Sequence, residues 1–312
     1  MSSTKTSSTL AVAVFPIVIL IAGIIGTVFP AIALPLNSYV PLMLGVVMFT
    51  MGLTLNLPDI QMIIRKPQAV ILGIIAQYTI MPGTAWLIGT VLQLPNQLLV
   101  GLVLLGSAPG GMSSNIVAYL ARGNVALSVA MTSVSTLLSP LLTPLIVLAL
   151  AGHYVPVDAW GMMKQILLMV IAPVCLGLVF RLWGRGVQRA LPVIPWLSVG
   201  VLSLVIAGIM AKSSEVVLTA AIPAIIAVIL HNAAGFGLGL LAAYAGRLPE
   251  AERRAVAVEV GMQNAGLAAA LANANYSPAA TVPAAIATVW HNLAGAVFAA
   301  LVTRFPSKYT RR

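Results

Sequence analysis

The chain has 312 residues, 60% of them hydrophobic and 7% charged, with a mean hydropathy of +1.06. A soluble domain carries about 25% charged residues, so this composition excludes one and points to a polytopic membrane protein. The net charge of +10 does not signal a nucleic-acid partner, because the cations stand at the ends of apolar runs and read as topology determinants.

Residues 1–9 are polar and are expected to form a disordered tail. Beyond them, hydropathy breaks at turn residues predict ten membrane spans, near 10–29, 39–56, 68–92, 98–121, 124–151, 162–182, 193–211, 221–245, 254–272 and 281–303. Ala31-Ile32-Ala33 mimics a cleavage site, but the run before it is longer than a signal-peptide core and reads as a retained span. The third span is interrupted by Gln77. In the fourth, Pro109-Gly110-Gly111 precedes Met112-Ser113-Ser114-Asn115. Proline lacks an N–H and glycine costs about 1 kcal/mol in a helix, so the helix is expected to break there. The fifth carries Ser128 and Thr132, four residues apart and hence on one face.

The single cysteine, Cys175 in the sixth span, excludes an intrachain disulfide and is expected to be a small buried apolar side chain. His231-Asn232 in the eighth reads as structural. The ninth holds Glu259, the one carboxylate inside any long apolar stretch, at the head of Val260-Gly261-Met262-Gln263-Asn264. Asp59, Asp158, Glu215, Glu250 and Glu252 fall in polar connections. The tenth carries His291 and Asn292, and the basic tail Lys308–Arg312 follows.

Two patterns organise these spans. Fourteen Lys and Arg residues fall on one side of the predicted topology and only Lys164 and Lys212 on the other. Both termini are therefore expected in the cytoplasm, with the protein multi-pass in the inner cell membrane. The Gly-Met pairs Gly111-Met112 and Gly261-Met262 lie 150 residues apart. Five spans separate them, an odd number, so the halves insert with opposite orientation. Interrupted helices at corresponding positions of inverted repeats point to a transporter's midplane site.

A lone carboxylate at membrane depth is a functional-site signal. Glu259 ionised needs a cation, and no Lys or Arg lies at comparable depth. Hard cations take oxygen ligands, and the amides and hydroxyls around the breaks supply them. With a single carboxylate, Na⁺ is the better reading than a divalent ion. A proton on Glu259 is the alternative. No paired-carboxylate, His-Glu-x-x-His or Ser-plus-base constellation is present, so the chain does not read as an enzyme.

Ala108–Asn115, Val125–Thr132, Glu259–Asn264 and Trp290-His291-Asn292 resemble the bile acid:sodium symporter family, and its bacterial members in particular. The resemblance covers essentially the whole chain. It implies an all-α fold of ten transmembrane helices in two inverted five-helix repeats, with helices four and nine discontinuous and crossing. It implies a panel (10–66 and 152–215) and a core (67–151 and 216–304), flanked by the tails 1–9 and 305–312. It further implies one sodium held by Ser114, Asn115, Ser128, Thr132 and Glu259. A second would be held by Gln77, Glu259, Gln263 and the carbonyls of Val260 and Met262. The implied substrate is a small organic anion, pyruvate- or pantoate-like or bile-acid-like, bound near Met112, Asn264, His291 and Asn292. The implied protein is a monomer. Panel side chains facing the substrate are expected to be almost wholly apolar.

Overall fold

The structure is a computed structural model that describes residues 17–55, 57–183 and 191–304. The polar tail 1–9, the beginning of the first predicted span and the basic tail 305–312 lie outside the described residues. The described chain is all helical, and among these residues there is no strand. In chain order the helices are α1 (Ile17–Val28), α2 (Pro30–Thr54, with a 3-10 turn at Leu34–Tyr39), α3 (Leu57–Arg65), α4 (Pro67–Val91) and α5 (Asn96–Gly106). There follow α6 (Ser113–Leu120), α7 (Val125–Ala151), α8 (Ala159–Trp183, with a π turn at Leu167–Ile171) and α9 (Ile194–Lys212). The last are α10 (Ser214–Ala245), α11 (Glu250–Gly261), α12 (Ala265–Asn275) and α13 (Pro278–Arg304).

Among the described residues seven helices, α2, α4, α7, α8, α9, α10 and α13, are long and apolar enough to cross a membrane. Their interiors carry prolines at 82, 140, 144, 223 and 283, which neighbouring helices make tolerable in a bilayer. The predicted spans 98–121 and 254–272 are each two short helices joined at a break. One short helix stands where the sequence read as a polar connection. In α3, Met62 and Ile63 pack against the cluster that α4, α7, α10 and α11 form, while Ile64 points outward.

Two packing groups follow. α2 runs along α8 and α9, while α4, α5, α7, α10, α11 and α13 pack chiefly on one another. α2 and α8 cross at Gly52 and Gly177, where a Cβ on either would lie 2.2 Å from a backbone carbonyl of the other helix. Small residues permit such close crossings where water supplies no hydrophobic drive. Cys175 does not meet its expected burial: it is exposed on α8. The burial rule inferred from soluble cores fails in a chain whose outer surface is itself apolar.

The two breaks meet. Gly110 and Gln263 form an antiparallel bridge, with Gly111 N donating to the Met262 carbonyl (2.9 Å) and Asn264 N to the Pro109 carbonyl (2.8 Å). Backbone groups left over by one interrupted helix are thereby satisfied by the other, as the lipid environment demands.

Candidate functional site

Glu259 lies in the last turn of α11, two residues before that helix ends at Gly261, and it is 1% exposed. Three hydroxyls converge on its carboxylate. Ser114 Oγ, in the first turn of α6, donates to Oε2 at 2.8 Å. Ser128 Oγ donates to the same oxygen at 3.0 Å, and Thr132 Oγ1 to Oε1 at 2.5 Å. The four-residue spacing on α7 places both groups under the crossing. Gly110 is required for this approach, because a Cβ there would sit 1.8 Å from Glu259 Oε1.

Glu259 takes part in neither of the ion pairs Lys66–Glu252 (3.0 Å) and Arg254–Glu250. The hydroxyls that surround it carry alternatives for their protons: Ser114 Oγ also lies 2.6 Å from the Gly111 carbonyl, and Thr132 Oγ1 lies 3.1 Å from that of Ser128. Rotating those protons onto the backbone would turn oxygen lone pairs toward a cation beside the carboxylate. Asn115 belongs to the same turn of α6, and its Oδ1 is buried without a donor. An acceptor left unpaired in a low-dielectric interior costs free energy, and a cation is a partner that removes the cost. Among the described residues no three His, Cys, Asp or Glu side chains cluster as they would for a transition metal. One carboxylate with neutral oxygens suits a hard monovalent ion.

The second expected ligand set is assembled differently. Gln77 Nε2 donates to the Ala108 carbonyl at 2.9 Å and to Gln263 Oε1, and Gln263 Nε2 donates to the Val260 carbonyl at 2.7 Å. Gln77, Gln263 and Val260 are thus joined to one another, and no hydrogen bond ties them to Glu259. The Met262 carbonyl receives Gly111 N in the crossing bridge; a second lone pair remains on it. Gln77 Oε1 is buried without a donor.

Beside the crossing is a cavity of about 450 Å³ whose walls come from α1, α2, α6, α7, α9, α12 and α13. Met112, Asn264, His291 and Asn292 all line it. Met112 holds the N-cap position of α6 without a side-chain cap. Asn264 caps α12 by accepting Leu267 N at 3.1 Å, which leaves its NH₂ for other partners. His291 is 2% exposed and neither ring nitrogen makes a hydrogen bond of normal geometry. Asn292 Nδ2 is engaged by the Thr288 carbonyl at 2.9 Å.

Sequence reasoning missed three residues here, Ser135, Thr50 and Ser198, and read a fourth, Asn232, as structural without placing it at a break. Asn232 Nδ2 donates to the Gly261 carbonyl at 2.7 Å, and Ser135 Oγ accepts Gly110 N at 3.2 Å, so each completes one break. An amide inside an otherwise apolar span singled out Asn232; Ser135, one of several hydroxyls on α7, carried no signal. Thr50 and Ser198 line the cavity from α2 and α9 and are 2.7 Å apart. They correct the expectation of an almost wholly apolar panel lining. Hydroxyls scattered in two distant spans signal nothing until the helices pack.

Residues 41–220 match the sequence profile of the Sodium Bile acid symporter family. The chain is 40% identical over 286 residues to a Bacillus subtilis (strain 168) protein named "Uncharacterized sodium-dependent transporter YocS", covering 91% of this chain and 89% of that one. It is 34% identical over 288 residues to the Oryza sativa subsp. japonica "Probable sodium/metabolite cotransporter BASS2, chloroplastic", covering 91% and 69%. To the BASS1 protein of the same plant it is 33% identical over 261 residues, covering 83% of this chain and 64% of that one. A profile over more than half the chain and a near full-length relative at this identity place it: the chain is a membrane protein of the sodium bile acid symporter family, a family of sodium-dependent transporters.

Proposed function

We propose that the protein is a symporter that takes up a small organic anion together with about two Na⁺ by alternating access. The observation that carries the reading is Glu259, a buried carboxylate with no ion-pair partner, held by hydroxyls of α6 and α7 where two interrupted helices cross. One ion is assigned to Ser114, Asn115, Ser128, Thr132 and Glu259. The other is assigned to Gln77, Glu259, Gln263 and the carbonyls of Val260 and Met262. Two cations beside one anion leave a positive centre next to the cavity, and two helix N-termini, those of α6 and α12, end at the same wall. Met112, Asn264, His291 and Asn292 are assigned to the carboxylate-bearing substrate.

The architecture assigned is ten membrane-crossing segments in two inverted repeats. α1, α2, α8 and α9 form a panel and the rest a core, in a monomer with both termini at the cytoplasmic face of the cell membrane. The cavity reaches Thr54 and Leu55 at the end of α2, Val125 at the start of α7 and Ile194 at the start of α9. In the assigned topology these all lie at the cytoplasmic end. At the opposite end the two groups of helices are tied together. Asn275 Nδ2 donates to Gln165 Oε1 (2.7 Å), Gln165 Nε2 to Asn275 Oδ1 (3.2 Å), and Lys212 Nζ to the Asn273 carbonyl (3.3 Å). This arrangement supports an inward-open state.

Two Na⁺ with one monoanion move net positive charge inward, so the membrane potential adds about 2.3 kcal/mol per 100 mV of driving force. The test is uptake of labelled small carboxylates, pyruvate and pantoate first, into proteoliposomes. Replacing Na⁺ by K⁺ at fixed pH is expected to abolish accumulation, and Glu259→Ala is expected to do the same in Na⁺. Uptake that survives without Na⁺ and follows a pH gradient would make Glu259 a proton site instead.

A further inference from the structure

The panel wall of the cavity is built from Leu44, Val47, Met48 and Met51 of α2 with Leu202 of α9; a third panel hydroxyl, Thr54, lies a turn further along α2, and into the apolar middle are set two adjacent hydroxyls, Thr50 and Ser198. We infer that Thr50 and Ser198 are specificity-determining residues that accept a hydrogen bond from a hydroxyl of the substrate, so that the substrate is an aliphatic carboxylate bearing a hydroxyl away from its carboxylate. This rests on the symporter reading above and adds the substrate class.

Proton counting carries the inference. Thr50 Oγ1 lies 2.6 Å from the Val47 carbonyl, Ser198 Oγ lies 2.9 Å from the Ile194 carbonyl, and the two oxygens lie 2.7 Å from each other. These three contacts share two protons. One hydroxyl donates to its own helix and the other donates across to it, or both donate to their helices and two lone-pair oxygens face each other at contact distance. The first arrangement is the favourable one, and in neither is a proton left for a ligand. Each hydroxyl oxygen has two lone pairs, so what the pair still offers is acceptance. A ligand hydroxyl is accommodated at no cost to the existing bonds, whereas a keto or carboxylate oxygen would meet acceptors.

The carboxylate end then belongs at the other wall. There His291 is buried in the wall beside the crossing, and the N-termini of α6 and α12, the positive ends of their helix dipoles, meet the same wall. The cavity is therefore polarised. It has cation-flanked donors at the crossing, an apolar middle, and a pair of acceptors on the panel. At about 450 Å³ it suits a small ligand. A site built around a hydroxyl rejects the analogue that lacks it more strongly than an apolar pocket discriminates by size.

The test uses purified full-length protein in nanodiscs at saturating Na⁺. Apparent Kd is read by calorimetry for ω-hydroxy acids from 4-hydroxybutyrate to 6-hydroxyhexanoate, each beside its deoxy parent and its oxo counterpart. At least one hydroxy acid is expected to bind about tenfold more tightly than both analogues, the size of one neutral hydrogen bond. In Thr50→Val/Ser198→Ala the preference is expected to vanish, with the deoxy parent bound within about twofold of wild type. The single variants Thr50→Val and Ser198→Ala serve as checks on folding by thermal melt. Absence of a hydroxyl preference in the wild type, absence of binding by the whole series, or the same preference in the double variant overturns the inference. The symporter reading is judged separately, by whether Na⁺ alone raises the melting temperature of the wild type.

Discussion

Thr132 donates the shortest of the three hydrogen bonds that reach Glu259. Hydrogen bonds to charged groups contribute about 1.5–3 kcal/mol, and the same oxygen is assigned to the ion. Thr132→Val is expected to raise the Na⁺ concentration for half-maximal thermal stabilisation by at least about tenfold. An unchanged midpoint would remove Thr132 from the site. Gly110 offers a sharper case, because Pro109-Gly110-Gly111 announces a break but not the side chain that the break will meet. A methyl group there overlaps the Glu259 carboxylate, so Gly110→Ala is expected to eliminate Na⁺-induced stabilisation. The carboxylate, the hydroxyl spacing on α7 and the amides after each break were all legible in the sequence. Their assembly was not, since Ser114 and Glu259 are 145 residues apart.

At the scale of elements, the two breaks were written in local chemistry: Pro109-Gly110-Gly111 and the polar run around Gly261 both oppose regular helix. What stabilises a broken helix at membrane depth is not local. Asn232, on the preceding helix α10 and 29 residues away in the chain, supplies the donor for the Gly261 carbonyl, and Ser135 on α7 accepts Gly110 N. Asn232→Leu would leave that carbonyl orphaned, at a cost of about 1–3 kcal/mol. The expected outcome is a lower melting temperature without Na⁺ together with a higher Na⁺ midpoint, because the flanking Val260 and Met262 carbonyls lose their anchor. A melting loss with an unaltered midpoint would make Asn232 structural only, as the sequence reading had it. Helix α3 was hidden for a related reason. It is too short for a membrane span, and its packing against α7 is visible only once α7 is in place.

At the scale of the whole molecule, the amide pair Gln165–Asn275 links α8 to the end of α12, and neither residue lines the cavity. If the two groups of helices move against each other during transport, this contact must open. In a Cys175→Ala background, which removes the exposed native thiol, Gln165→Cys/Asn275→Cys is expected to lose uptake on cross-linking and regain it on reduction. Full uptake by the cross-linked protein would rule out separation at this point.

Class, element type and the identity of the central carboxylate follow from composition and local pattern alone, because burial in lipid constrains every residue of a span at once. The family was legible for the same reason, in short runs whose polar residues have no solvent to justify them. Tertiary structure alone decided which hydroxyls meet Glu259, how each break is satisfied, that Cys175 faces outward, and that Thr50 and Ser198 share a wall of the cavity. Those outcomes depend on contacts between residues far apart in the chain. A hydroxyl reads alike in the sequence whether it bonds its own helix, a carboxylate or a substrate; only packing selects among the three.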